Sequence, residues 1–263
     1  MKRYAVPPAW AEAIEEWERA LRAAGRSAQT LETRCEHMRR FARQTGAGAP
    51  GVVSRRRVEA WAGSHEWARE TRRSIYASVR GFYTWAMESG RVTADPASAL
   101  PTVAAGPAVP RPAPEAAYRA ALADADARQH VILRLAGEAG LRRAEIAGIS
   151  RHDLVRDLEG WTLIVHGKGD RIRLVPLTDS LAGEVRRALG KRGQWLLPST
   201  VGEHLTPRHV GVLASRALPT GVTLHMLRHR FATVVNRSTG DLIAVQRLLG
   251  HVSVATTQRY VAV

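Results

Sequence analysis

The chain has 263 residues, enough for two domains with cores of their own, and its 45% hydrophobic content excludes a largely disordered protein. A formal net charge of +15 points to a polyanionic partner, with nucleic acid the first expectation. No run of about 18 apolar residues and no interfacial amphipathic helix offers a membrane alternative. The start MKRYAVPPAW lacks the apolar stretch of a signal peptide, and the single Cys35 cannot form an internal disulfide, so a cytoplasmic setting is expected.

In chain order, Trp10, Ile14, Trp17 and Leu21 recur at spacings of three and four and predict a helix over 9–23. Ser27 is placed to cap a second helix through Leu31, Met38 and Phe41, and Ser54 a shorter third containing Val58 and Trp61. A fourth, over 69–88, is read with Ile75, Val79, Phe82, Trp85 and Met87 inside and Arg69, Arg72, Arg73 and Arg80 outside, ending at Gly90. Five of the seven tryptophans lie in this half, and their simplest role is to anchor a small helical core. Arg72, Arg73 and Arg80 are candidates for DNA contact, with an ordinary solvated helix face the equal alternative.

Five prolines in PTVAAGPAVPRPAP, residues 101–114, read as an extended linker. The expected organisation is therefore a helical domain over 1–106, a Pro-rich linker over 107–114 and a second domain over 115–263. Both domains are cationic, and a linked pair of this kind is expected to close around a duplex. The second domain reads as mixed. Helices are predicted over 115–137, 143–149, 178–190, 206–217, 225–237 and 241–249. WTLIVH (161–166) and RIRLVPL (171–177) alternate around the turn GKGD as an antiparallel hairpin. The fold class is mainly α, with a small antiparallel sheet in an α+β second domain.

Four stretches of that domain set a cation or proton carrier beside glycine or a helix end: GLRRAEI (140–146), GKGD (167–170), HMLRH (225–229) and LLGHVSVATTQRY (248–260). A phosphodiester under attack develops charge on its non-bridging oxygens, and guanidinium groups are fixed donors that stabilise it without a metal. Arg142 and Arg228 suit that role. Tyrosine has an unperturbed pKa of about 10 and needs a base or a cationic pocket to become a nucleophile. His225 and His229 stand four apart like zinc ligands, but Met226 occupies the place where a zinc protease needs glutamate, so no metal is expected. Gly167 and Gly169 lack the third glycine of a dinucleotide fingerprint, and Lys168 precedes glycine where a phosphate-binding loop needs Ser or Thr.

In this order and at these separations the four stretches resemble the tyrosine recombinases, the phage integrase family. Arg142, Lys168, His225, Arg228, His251 and Tyr260 fall on the family's six catalytic positions. The first domain resembles the family's core-binding domain, and DPASALP (95–101) resembles the usual exit from it. The resemblance implies a site-specific recombinase acting on double-stranded DNA as a homotetramer, through a 3′-phosphotyrosine on Tyr260 and without metal, ATP or other cofactor. It implies Arg142 and Arg228 on the scissile phosphate, His251 as a further donor, His225 as proton acceptor and Lys168 as the acid for the leaving 5′ oxygen. Glu145 is implied as a buried support, with His229 structural. Arg230 stands where relatives often carry a small hydroxyl residue and is expected to add a phosphate contact. Integration of phage or mobile-element DNA is the first expectation. A host Xer-like resolvase and a catalytically silent DNA-binding protein are the alternatives, and a directionality factor is a candidate accessory partner. Only three residues follow Tyr260, so the C-terminal helix that many relatives dock on a neighbouring protomer is not expected.

Overall fold

A computed structural model describes residues 5–106, 110–167, 171–190 and 193–250, and the chain divides into two compact units, Met1–Pro107 and Ala108–Val263. The first is built on helices α1 (Pro8–Ala23), α2 (Ala28–Thr45), α3 (Arg55–Gly63) and α4 (Arg69–Glu88). Their apolar stripes meet in an aromatic core. Trp10 stacks on Phe82 at 5.6 Å, Trp17 meets the same ring edge-on at 5.4 Å, and Phe41 meets Trp61 edge-on at 4.6 Å. Offset and edge-on pairs suit the aromatic quadrupole, and each buried large side chain stabilises the unit by about 1.5–3 kcal/mol. Trp10 also donates its indole N–H to the Ala47 carbonyl at 2.8 Å, so its polar end is satisfied. Ser54 caps α3 by accepting the Arg57 N–H, whereas the Ser27 hydroxyl bonds Thr30 and leaves the first turn of α2 without a side-chain cap. Met87, expected inside, is exposed, because it lies off the Val79, Phe82 and Ala86 stripe of α4.

The second unit contains α5 (Glu115–Asp124), α6 (Ala127–Glu138), α7 (Arg143–Ala147), α8 (Asp179–Leu189), α9 (Pro207–Ala217), α10 (Leu224–Thr239) and α11 (Leu242–Leu249). A three-stranded sheet in the order β1–β2–β3 joins them, formed by Leu154–Asp157, Gly160–His166 and Ile172–Leu177. The expected single helix over 115–137 is two. Asp126 and Gln129 form a reciprocal capping box that starts α6 afresh, and the backbone at Ala125 is extended. The expected hairpin is present as β2 and β3, paired antiparallel from Trp161 opposite Leu177 to His166 opposite Ile172. Strand β1 adds to it through a tight turn that Asp157 closes by accepting the Glu159 and Gly160 N–H groups. Pro176, which has no N–H to donate, is tolerated because β3 is an edge strand.

Helix α6 runs through the centre of this unit with Val131, Ile132, Leu133, Leu135 and Ala136 fully buried. Helix α10 packs along it. The end of the Pro-rich stretch is fixed to the same helix. Ala113 donates to the Met226 carbonyl and is buried in the core, and Arg111 donates its backbone N–H to His229 Nδ1 at 3.1 Å.

Candidate active site

Thr223 starts α10 by accepting the Met226 N–H, which places His225, Arg228 and His229 on one helix face. Arg228 points inward and is only 2% exposed. Its guanidinium donates to the Gly140 carbonyl and, at 2.7 Å, to that of Leu249, and it lies 3.8 Å from the Glu145 carboxylate. A buried cation needs such partners, since desolvating it alone costs several kcal/mol. Gly140 supplies its carbonyl from a left-handed backbone with φ 67°, and an added Cβ there would run into the Phe231 ring.

Arg142 is the cap residue of α7, and Glu145 one turn on takes its backbone N–H at 2.7 Å and its guanidinium at 2.8 Å. Those bonds orient the arginine while its side chain remains 42% exposed. Glu145 itself is almost wholly buried. Arg173 on β3 grips both of its oxygens, each at 2.8 Å, and uses its remaining Nε on the Leu248 carbonyl at 2.8 Å. Burial pushes the Glu145 carboxyl up, but the Arg173 hydrogen bonds and charge, with the backbone N–H and charge of Arg142, outweigh it and hold the group at about 2. One carboxylate thus ties together α7, the inner face of β3 and the end of α10's buried guanidinium.

Arg173 escaped sequence reading. The signal was its parity: along β3, Ile172 and Leu174 face solvent, while Arg173 shares the inward face with Val175 and Leu177. An inward arginine requires a buried anion, and Glu145 is that anion. Arg173 also explains Gly250, the left-handed cap of α11 at φ 63°, because a Cβ there would lie 3.0 Å from the Arg173 Cδ.

His225 lies at the exposed edge of this cluster, where burial, then the positive charges of Arg228 and Arg142, lower its pKa and favour the neutral ring. Its Nε2 is 3.0 Å from His229 Nε2. Among the described residues no group of three or more His, Cys, Asp or Glu side chains is arranged to hold a metal ion. Arg142, Glu145, His225 and Arg228 are therefore gathered, and Lys168, His251 and Tyr260 lie outside the described residues. Of the described residues next to them in sequence, Gly167 follows β2 and donates its backbone N–H to the Arg171 carbonyl at 2.7 Å, and Gly250 lies against the Arg173 side chain.

Of the arginines given to DNA by sequence, Arg72 and Arg73 are neighbours near the start of α4 and Arg80 lies about two turns further along it. Arg73 pairs with Glu70 at 2.9 Å and Arg80 with Thr102 at 2.6 Å, while the Arg72 Nε is buried. Arg230 is committed inside the protein instead of standing ready for a phosphate. It pairs with Glu115 at 2.8 Å, donates to the Gly137 carbonyl at 2.9 Å and lies over the Tyr118 ring at 4.2 Å. No helix among the described residues is long and apolar enough to cross a membrane.

Residues 115–263 match the phage integrase family. Similar curated proteins include a tyrosine recombinase XerC of Bradyrhizobium diazoefficiens, 30% identical over 89% of this chain and 80% of the relative. A tyrosine recombinase XerD of Caulobacter vibrioides is 32% identical over 96% of this chain and 91% of the relative. Among solved structures, a lambda integrase dimer bound to a COC′ core site matches with TM-score 0.75 and 18% identity, over 95% of this chain and 76% of that one. XerH recombinase bound to a difH substrate matches with TM-score 0.65 and 18% identity, over 94% of this chain and 79% of that one. At such identities the structural likeness speaks for the fold.

Proposed function

We propose, on the premise that this chain belongs to the phage integrase family of tyrosine recombinases and is a site-specific DNA recombinase, that it breaks and rejoins strands through a 3′-phosphotyrosine on Tyr260. The observation that supports this reading best is the Glu145 hub. It holds Arg142 half exposed and Arg228 buried behind it, which is the fixed cationic frame that a pentavalent phosphate needs. In the proposed cycle the Tyr260 oxygen forms a bond to phosphorus, its proton passing to a base, and the bond from phosphorus to the 5′ oxygen breaks. Lys168 supplies the proton that the 5′ oxygen takes up. Religation reverses these steps, so the phosphotyrosine keeps the energy of the broken bond and no ATP is required. Lambda integrase has been solved as a tetramer on a Holliday junction, and by analogy this chain is proposed to act as a homotetramer on two duplexes. Arg72, Arg73 and Arg80 are proposed to contact the DNA backbone.

Two settings fit this chemistry. Integration of a phage or other mobile element is the first, with a directionality factor as candidate accessory. An Xer-type host role is the second, and the 30–32% identity to XerC and XerD over most of the chain favours giving it equal weight. The test of the shared chemistry uses a nicked duplex drawn from DNA flanking the gene, incubated with protein in EDTA and resolved on a denaturing gel. A protein-linked 3′ end that is absent with Tyr260→Phe is expected. Tight binding to that duplex with no adduct would leave the catalytically silent DNA-binding protein as the reading.

A further inference from the structure

Two hydrogen bonds in series run from the end of the Pro-rich stretch to the candidate catalytic imidazole. The Arg111 backbone N–H points at His229 Nδ1 at 3.1 Å, and His229 Nε2 lies 3.0 Å from His225 Nε2. The first bond has one possible direction, because a backbone amide only donates. Nδ1 of His229 therefore carries a lone pair and no proton. A neutral imidazole holds one N–H, so the proton of His229 resides on Nε2 and must be donated to His225. His225 Nε2 is then the acceptor, and the single proton of a neutral His225 ring sits on Nδ1.

We infer that His229 is a positioning residue that fixes His225 in the Nδ1–H form, so that the resting ring offers a hydrogen-bond donor to a bound phosphate oxygen and not a lone pair to the tyrosine. This rests on His225 belonging to the site proposed above. It replaces the proton-acceptor role that sequence alone gives His225 with that of a neutral donor beside Arg142 and Arg228. Both rings must be neutral for the chain of bonds to hold. Burial, with the neighbouring His225 and the positive charge of Arg228, lowers His229 to about 4, and burial with Arg228 and Arg142 lowers His225 as well. The arrangement also gives the Pro-rich stretch a part in the chemistry, since Arg111 supplies the first donor from a backbone held next to Ala113, itself bonded to the Met226 carbonyl. The backbone at Arg111 and the protonation pattern of His225 are thereby linked through His229.

The direct test is nitrogen-15 NMR of the free, full-length protein, in which long-range couplings to the ring protons distinguish a protonated from a bare ring nitrogen. The expected pattern is protonated Nδ1 with bare Nε2 at His225, and the reverse at His229. A His225 protonated at Nε2 overturns the inference, whatever the outcome of the adduct assay, and a missing adduct with the expected pattern would instead count against the recombinase chemistry. Variants supply the functional arm. His229→Gln keeps an N–H directed at His225, and is expected to cleave the nicked duplex within about threefold of wild type. His229→Leu offers His225 no N–H, leaves its Nε2 free to take the ring proton from Nδ1, and is expected to slow cleavage severalfold at unchanged duplex affinity. A His229→Leu variant whose His225 stays protonated at Nδ1 alone overturns the positioning role.

Discussion

Glu145 gives up hydration to reach the interior, and it is stable there only while Arg142, Arg173 and Arg228 surround it. Its carboxyl sits at about 2 in the folded protein against an ordinary 4.5, so the folded state binds its proton less readily than the unfolded chain does. The stabilisation, about 3 kcal/mol, is therefore fully present above the unfolded value and is lost as the pH falls through the folded one. Urea titrations are expected to show stability declining between about pH 4.5 and 2, with Glu145→Gln flattening that segment and costing about 3–5 kcal/mol at neutral pH. A variant as stable as wild type at pH 7 would contradict the hub. Arg230 is the opposite case at this scale. Its bonds to Glu115 and Gly137 and its place over Tyr118 predict that Arg230→Ser lowers stability by about 1–3 kcal/mol. The same change should leave the salt slope of DNA binding unaltered, whereas a slope reduced by about one would restore the phosphate contact read from sequence.

At the scale of elements, the helices of the first unit were legible because their apolar residues fall at spacings only a helix serves, as with Trp10, Ile14, Trp17 and Leu21. The β2–β3 hairpin was legible from its alternation. Strand β1 was not, since LVRD is short and three of its four residues face solvent, which leaves no pattern to read. The break between α5 and α6 was hidden for a related reason: Asp126 and Gln129 act through a reciprocal cap, and the apolar period continues across it. Of the site, Arg142, His225 and Arg228 were visible as motifs, while Arg173 was obscured by lying in a strand with apolar residues on both faces, Ile172 and Leu174 outside and Val175 and Leu177 inside. The junction of α6 and α7 carries its own prediction. Gly140 turns the chain in a conformation that other residues resist, and its missing side chain makes room for Phe231. Gly140→Ala is expected to cost about 2–4 kcal/mol in urea unfolding, and to slow cleavage because the carbonyl that holds Arg228 must shift. Unchanged stability would mean that Phe231 can swing aside freely.

Over the whole molecule, a net charge of +15 makes the electrostatic share of DNA affinity large. Should the bound protein neutralise on the order of 6–10 phosphates, raising salt from about 50 to 200 mM will weaken binding roughly 10³–10⁵-fold. Fluorescence anisotropy on a labelled duplex across that range gives the slope, and a nearly flat response would assign the positive charge to something other than DNA. Charge alone does not make a recombinase, however, and the central claim concerns one oxygen atom. Arg259 provides a trypsin site immediately before Tyr260, so the nicked-duplex adduct can be digested with nuclease and trypsin and its modified peptide sequenced by mass spectrometry. The account predicts a nucleotide 3′-phosphate on the peptide that begins at Tyr260, attached to its phenolic oxygen. The same phosphate found on another residue of the chain would contradict it.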